Sequence, residues 1–230
     1  MATYVLIHGA GDVGWSWHLV EAELRARGHD VIAPDLPCDD ETAGLTDYAD
    51  AVVAAIDGRT SDEFVVVGIS FGGYTAPLVC ARVPADLLVL VAGMIPAPGE
   101  SAEEIFAKTG YEYNSEEYAS PIDRFLHDVP RELAEEALSK GKDQAGGPSQ
   151  ESWPLERWPD VPTKYILAQN DRLFPAAWVR DVVRDRLGIT PDEIASGHCV
   201  SLSKPRELVE ILERYRLSLP AVQASDGPGA

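Results

Sequence analysis

Cysteine is scarce in this 230-residue chain, which holds three: Cys38, Cys80 and Cys199. The number is odd and no two stand at C-x-x-C spacing, so neither a disulfide framework nor a zinc site is expected, and a reducing, cytoplasmic setting fits best. Basic residues are also few. Against 38 Asp plus Glu there are 19 Lys plus Arg, a formal net charge of −19. That balance repels phosphate backbones and anionic lipid surfaces, so nucleic acid and membranes are not expected as partners. No apolar run reaches the roughly 20 residues that span a bilayer. The opening MATYVLIHGAG has no basic segment and too short an apolar run for a signal peptide. No pair of ligands stands at metal spacing, and neither a metal nor a cofactor is expected.

What is present is alternation. Short apolar, β-branched runs are separated by longer segments of helical period, the pattern of a mostly parallel sheet flanked by helices. The expected strands are TYVLIH (3–8), DVIAPD (30–35), EFVVVGI (63–69), DLLVLVAG (86–93), TKYILAQ (163–169) and a short one at DEIA (192–195). Between them, helices are expected over 18–28 and closed by Gly28, over 46–57 with Thr46 as N-cap, over 73–83 and 176–188, and finally over 204–219. The pattern fails over 96–159, where local helical period, as in PRELAEEALSK (130–140), occurs without a convincing strand. A structureless loop of that length is improbable in a compact domain. The expected organisation is therefore a core of 1–95 and 160–219, a helical cap insertion at 96–159, and a flexible Pro- and Gly-containing tail at 220–230.

The third strand ends in Gly68-Ile69-Ser70-Phe71-Gly72, a G-x-S-x-G pattern followed at once by a helical segment. As a bare match the pattern is weak; as a strand-turn-helix elbow it exposes a serine hydroxyl at the C-terminal edge of a sheet, where open parallel sheets bind ligands. A serine is a nucleophile at neutral pH only with a base in reach and an acid to orient that base. Of five histidines, His8 ends the first strand, His18 and His29 lie in or beside the first helix, and His127 lies in the insertion. Only His198, in the loop ASGHCVSL, follows a late strand in the order serine, acid, histidine. Asp171 in ILAQNDRLFP sits just past a strand, whereas Asp160 precedes it and Asp181 belongs to a helix. The candidate triad is Ser70, Asp171 and His198. Its oxyanion would be met by the backbone N–H of Phe71 and by one from the glycine-rich HGAGDVG loop, with Ala10 preferred over its neighbours Gly9 and Gly11.

HGAGDVGWSWHLV, GISFGG, NDRLFP and GHCVSLSKPRELVEIL together resemble the α/β-hydrolase superfamily, in the branch holding plant methylesterases, hydroxynitrile lyases and bacterial esterase relatives. The resemblance runs roughly from Tyr4 to Leu217. It implies the α/β-hydrolase fold with a small helical cap, and the same triad and oxyanion donors. The lyases of this branch carry a threonine after the first-strand histidine and a lysine after the catalytic one; Gly9 and Cys199 stand here, which disfavours lyase chemistry.

The expected activity is hydrolysis of a small carboxylic ester through an acyl-enzyme. Thioester or lactone hydrolysis requires the same groups, and a ligand-binding protein with little turnover is the alternative from another class. Gly9, Phe106, Phe125, Leu126, Leu173 and Phe174 are candidate pocket residues, which suggests a substrate with an apolar portion. Trp15 and Trp17 read as core, Cys199 as a small buried residue packing the last helix, Asp35 as a turn residue bonding local backbone, and ELAEEA (132–137) as a solvated helix face.

Overall fold

The computed structural model describes residues 1–59, 61, 63–109, 118 and 120–219; the tail expected at 220–230 lies outside them. Six parallel strands form one sheet in the order β2-β1-β3-β4-β5-β6. They are β1 (Thr3–Ile7), β2 (Asp30–Ile32), β3 (Phe64–Ile69), β4 (Leu87–Val91), β5 (Thr163–Ala168) and β6 (Asp192–Ile194). The helices are α1 (His18–Ala26), α2 (Leu45–Ile56), α3 (Gly72–Cys80), α4 (Ala102–Thr109), α5 (Pro121–Phe125), α6 (Arg131–Lys140), α7 (Gly147–Gln150), α8 (Ala176–Leu187), α9 (Val200–Ser203) and α10 (Pro205–Leu217).

The two middle strands, β3 and β4, carry no polar side chain because both faces of the sheet are covered there. Side chains alternate between two clusters. Val5, Ile7, Val66, Leu88, Leu90 and Leu167 join Tyr48, Val52, Leu78 and Val183 from α2, α3 and α8. Tyr4, Leu6, Val65, Val67, Val89 and Ile166 join Val20, Leu24, Leu208 and Leu212 from α1 and α10. With every strand running the same way, all the loops that follow a strand emerge at one edge.

Segment 96–159 contains α4 to α7 and, among the described residues, no strand. Its ends are stitched to the core. Trp153 is buried and donates its indole N–H to Tyr74 O at 3.1 Å. Glu100, also buried, receives Arg186 from α8, with Nη2–Oε1 at 2.9 Å, and Lys108. Burial alone would raise the Glu100 carboxyl, but Arg186, Lys108 and the Ala97 N–H overcome it and hold the group down, from its ordinary 4.5 to about 2. A carboxyl depressed on folding adds stability that is fully present above its unfolded value and lost as pH falls toward its folded one. Chemical unfolding followed from pH 5 to pH 2 is therefore expected to show a loss of stability below about pH 4.5. Glu100→Gln should lower stability at pH 7 and flatten that acid limb; an identical acid limb in the variant would remove Glu100 from the account.

Two local expectations are corrected. Helix α2 starts one residue before Thr46, and its N-cap is Gly44. Carboxylates serve the helix start: Asp47 accepts from Gly44 N–H at 2.8 Å and Glu151 from Leu45 N–H at 2.7 Å. Among the described residues Asp35 bonds no local backbone; it accepts from Gly14 N–H at 2.8 Å, tying the loop after β2 to the loop after β1. Trp17 is buried as expected, while Trp15 is half-buried and stacks on His18 at 4.2 Å. The acidic positions of α6 are exposed. Among the described residues, no helix is long and apolar enough to cross a membrane.

Candidate active site

Strand β3 runs to Ile69 and α3 begins at Gly72, so the chain must reverse within two residues. Ser70 makes the turn at φ 53°, in the left-handed region that costs a side-chain-bearing residue about 1–2 kcal/mol. Its backbone is fixed on three sides. Ser70 N–H donates to Val91 O at 3.3 Å, and Ser70 O accepts from Gly73 N–H at 3.0 Å and Met94 N–H at 2.9 Å. The glycines around it are required by close approach. A Cβ on Gly72 would lie 2.7 Å from Ile7 O, and one on Gly73 2.1 Å from Met94 O. Gly73→Ala is therefore expected to cost about 3 kcal/mol or more, because backbone has to move to admit the methyl. Thermal denaturation checks this, and a wild-type Tm in the variant would contradict the packing described.

Asp171 follows β5 and His198 follows β6, two and three strands across from β3. At about 4.8 Å per strand, side chains from these loops can meet over the sheet edge. Asp171 and His198 do meet. Asp171 Oδ2 lies 2.8 Å from His198 Nδ1, with the side chains only 2% and 6% exposed. The other carboxylate oxygen accepts from Leu173 N–H at 2.7 Å and Phe174 N–H at 3.3 Å. A carboxylate bonded to Nδ1 fixes the tautomer in which Nδ1 carries the proton and Nε2 presents a lone pair. Among the described residues, neither His198 Nε2 nor Ser70 Oγ makes a hydrogen bond, so the serine and the imidazole share a rim without being joined directly.

The other histidines are occupied elsewhere. His8 is buried, its Nδ1–H donating to Gly9 O at 2.8 Å while Nε2 accepts from Leu36 N–H at 2.9 Å. Both bonds need neutral imidazole, and burial pushes its pKa down accordingly. His18 bonds Trp15 O, His29 contacts Glu213, and His127 bonds Asn170 O at 3.1 Å.

Among the candidate oxyanion donors, Gly11 N–H is already taken, by Gln144 Oε1 at 3.0 Å. No acceptor among the described residues takes the N–H of Ala10 or of Phe71. Gly9 stands beside the serine, where a Cβ would lie 3.0 Å from Ser70 Cβ and 3.5 Å from Ser70 Oγ.

A sequence profile of the alpha/beta hydrolase family matches residues 4–211, most of the chain. The chain belongs to the alpha/beta hydrolase family. This hydrolase is 28% identical to Esterase PIR7B of Oryza sativa subsp. japonica, over 91% of its own length and 93% of that protein. It is 24% identical to Norfluorocurarine synthase 1 of a Strychnos species, over 91% and 93% of the two chains. Among solved structures it resembles a pyrethroid hydrolase from Sphingobium faniae JZ-2, with a TM-score of 0.75 and 22% identity, covering 95% of this chain and 98% of that one. At that identity the structural likeness shows the fold.

Aromatic side chains surround the imidazole of this hydrolase. Phe174 meets His198 edge-on at 5.7 Å and stacks on Phe106 and Trp178 at 5.8 and 6.0 Å, and Phe125 tilts onto His198 at 5.8 Å. Leu173 is buried in the main core, and Leu126 lies in a satellite cluster with Val129, Ala134 and Leu202. Cys199, expected to be buried against the last helix, is half-buried and packs against that satellite cluster; desolvation followed by the charges of Asp12, Asp171 and Asp128 pushes its thiol well above the ordinary range. Among the described residues no group of three His, Cys, Asp or Glu side chains could hold a metal ion.

Sequence reasoning passed over two residues that hold the site's loops. Asp128 accepts from Gly197 N–H at 2.7 Å, immediately before His198, and Gln144 bonds Gly11. Both come from segment 96–159, and neither position carries a periodicity or motif that would have marked it.

Proposed function

We propose that this chain is a serine carboxylic-ester hydrolase acting on a small-molecule ester. The observation that carries the reading is the Asp171–His198 pair at 2.8 Å, on the sheet edge that also holds a serine strained to φ 53°. Ser70 Oγ attacks the ester carbonyl as His198 Nε2 takes its proton, and Asp171 stabilises the resulting imidazolium. The tetrahedral oxyanion accepts from the N–H groups of Ala10 and Phe71. Collapse expels the alcohol, which leaves with the proton from His198. Water, deprotonated by the same nitrogen, then attacks the acyl-enzyme and frees the acid and Ser70. The absence of a Ser70–His198 hydrogen bond agrees with catalytic contacts that tighten only when substrate is bound.

Segment 96–159 acts as a helical cap over the pocket, and Phe106, Phe125 and Phe174 receive the apolar portion of the substrate. The relatives that bear the names esterase and hydrolase support the same reaction class. The test is turnover of a panel of p-nitrophenyl esters together with labelling by a fluorophosphonate. Both are expected, and both should vanish in Ser70→Ala; turnover that persists in that variant would overturn the proposal.

A further inference from the structure

The loop after β1 is gripped from segment 96–159. Gly11, at φ 64°, accepts at its carbonyl from Lys142 N–H at 2.8 Å and donates its N–H to Gln144 Oε1 at 3.0 Å. The fit is close: a Cβ on Gly11 would lie 3.0 Å from Lys142 O, and one on Gly141 would lie 3.0 Å from Gly11 O. The other end of the Gln144 amide donates to Tyr48 OH and Ala145 O, both at 3.0 Å. This orientation is dictated by chemistry, since Gly11 N–H can only donate and Ala145 O can only accept. Ala145 N–H in turn donates to Cys38 O at 2.7 Å. Tyr48 is buried, and its ring meets Phe71 edge-on at 6.4 Å and 85°. One half-buried amide thus touches the residue next to Ala10 and, through Tyr48, the ring of Phe71.

We propose that Gln144 is a positioning residue that sets the oxyanion hole. By occupying Gly11 N–H it leaves Ala10 N–H as the donor of that loop, and through Tyr48 it fixes the distance between that donor and Phe71 N–H. The inference rests on the ester-hydrolase reading above. Interactions felt only by the developing oxyanion change kcat and leave KM nearly alone.

The experiment uses the full chain and four variants: Gln144→Met, which keeps length and loses all three side-chain hydrogen bonds; Gln144→Glu, which keeps the acceptor for Gly11; Tyr48→Phe; and Ser70→Ala. Steady-state turnover of p-nitrophenyl acetate is measured beside inhibition by trifluoroacetophenone, whose serine adduct mimics the tetrahedral intermediate. Gln144→Met is expected to lower kcat about 10- to 100-fold, short of the 10²–10³ lost when an oxyanion donor is removed outright. Its KM should stay within about 3-fold, and its inhibitor affinity should fall in parallel with kcat/KM. Gln144→Glu should recover most of the loss, and Tyr48→Phe should lose a few-fold in kcat alone.

Full kcat in Gln144→Met, equal losses in the Met and Glu variants, or a change confined to KM would overturn the inference while leaving the ester-hydrolase reading intact. If Gln144→Met does not fold, Gln144→Glu and Tyr48→Phe decide the matter: a kcat loss of about 10-fold or more in Glu, or no kcat loss in Phe, overturns it. Turnover that survives Ser70→Ala would overturn the parent reading and this inference together.

Discussion

Replacing Ser70 with alanine is expected to lower kcat/KM for p-nitrophenyl esters by about 10⁴- to 10⁶-fold, the range seen when the nucleophile of a serine triad is removed. The fold should not notice. Ser70 Oγ makes no hydrogen bond among the described residues, and alanine keeps the Cβ that already sits in the strained turn. No cavity, cap or buried polar partner is lost, so stability should change by less than about 0.5 kcal/mol. Thermal denaturation and steady-state kinetics on the same preparation separate the two outcomes. A large loss of stability would mean that the hydroxyl holds the elbow together; a small loss of activity would mean that the chemistry lies elsewhere.

Asp171→Asn is expected to lower kcat by about 10⁴-fold, for a reason visible in its three hydrogen bonds. One oxygen of Asp171 faces two backbone donors, Leu173 N–H and Phe174 N–H, and the other faces His198 Nδ1. An asparagine that keeps its oxygen toward the two N–H groups must present its NH₂ to Nδ1. That forces the imidazole proton onto Nε2, where no lone pair remains to accept from Ser70. The flipped asparagine saves the tautomer but sets NH₂ against two N–H donors, leaving them unsatisfied in a buried site at a cost of about 1–3 kcal/mol each. Either way the base is disabled. Steady-state kinetics of the variant at pH 7 check this, and near-wild-type turnover would show that Asp171 does not orient the catalytic base.

The order of strands and helices was readable because both faces of the sheet are covered, which makes β3 and β4 uninterrupted apolar runs. The elbow was readable because backbone contacts at 68, 72 and 73 leave room only for glycine. The Asp171–His198 contact was readable because both residues stand just after a strand, and parallel strands deliver such residues to one edge. What escaped were choices made by tertiary contacts. The cap of α2 depends on Glu151, 106 residues from the Leu45 N–H it serves, and no local rule relates them. Asp35 looked like a turn residue because its partner, Gly14, comes from another loop. Gln144 sits in the insertion at a position that no motif or periodicity marks, and its contacts appear only once Gly11 and Tyr48 are brought beside it.

The most direct measurement is a crystal structure of the protein after reaction with a fluorophosphonate. The expected result is a covalent bond from phosphorus to Ser70 Oγ, the phosphonyl oxygen about 3 Å from both Ala10 N and Phe71 N, and His198 Nε2 in hydrogen-bond reach of Ser70 Oγ. An adduct on any other side chain, or one on Ser70 whose oxygen turns away from both N–H groups, would contradict it.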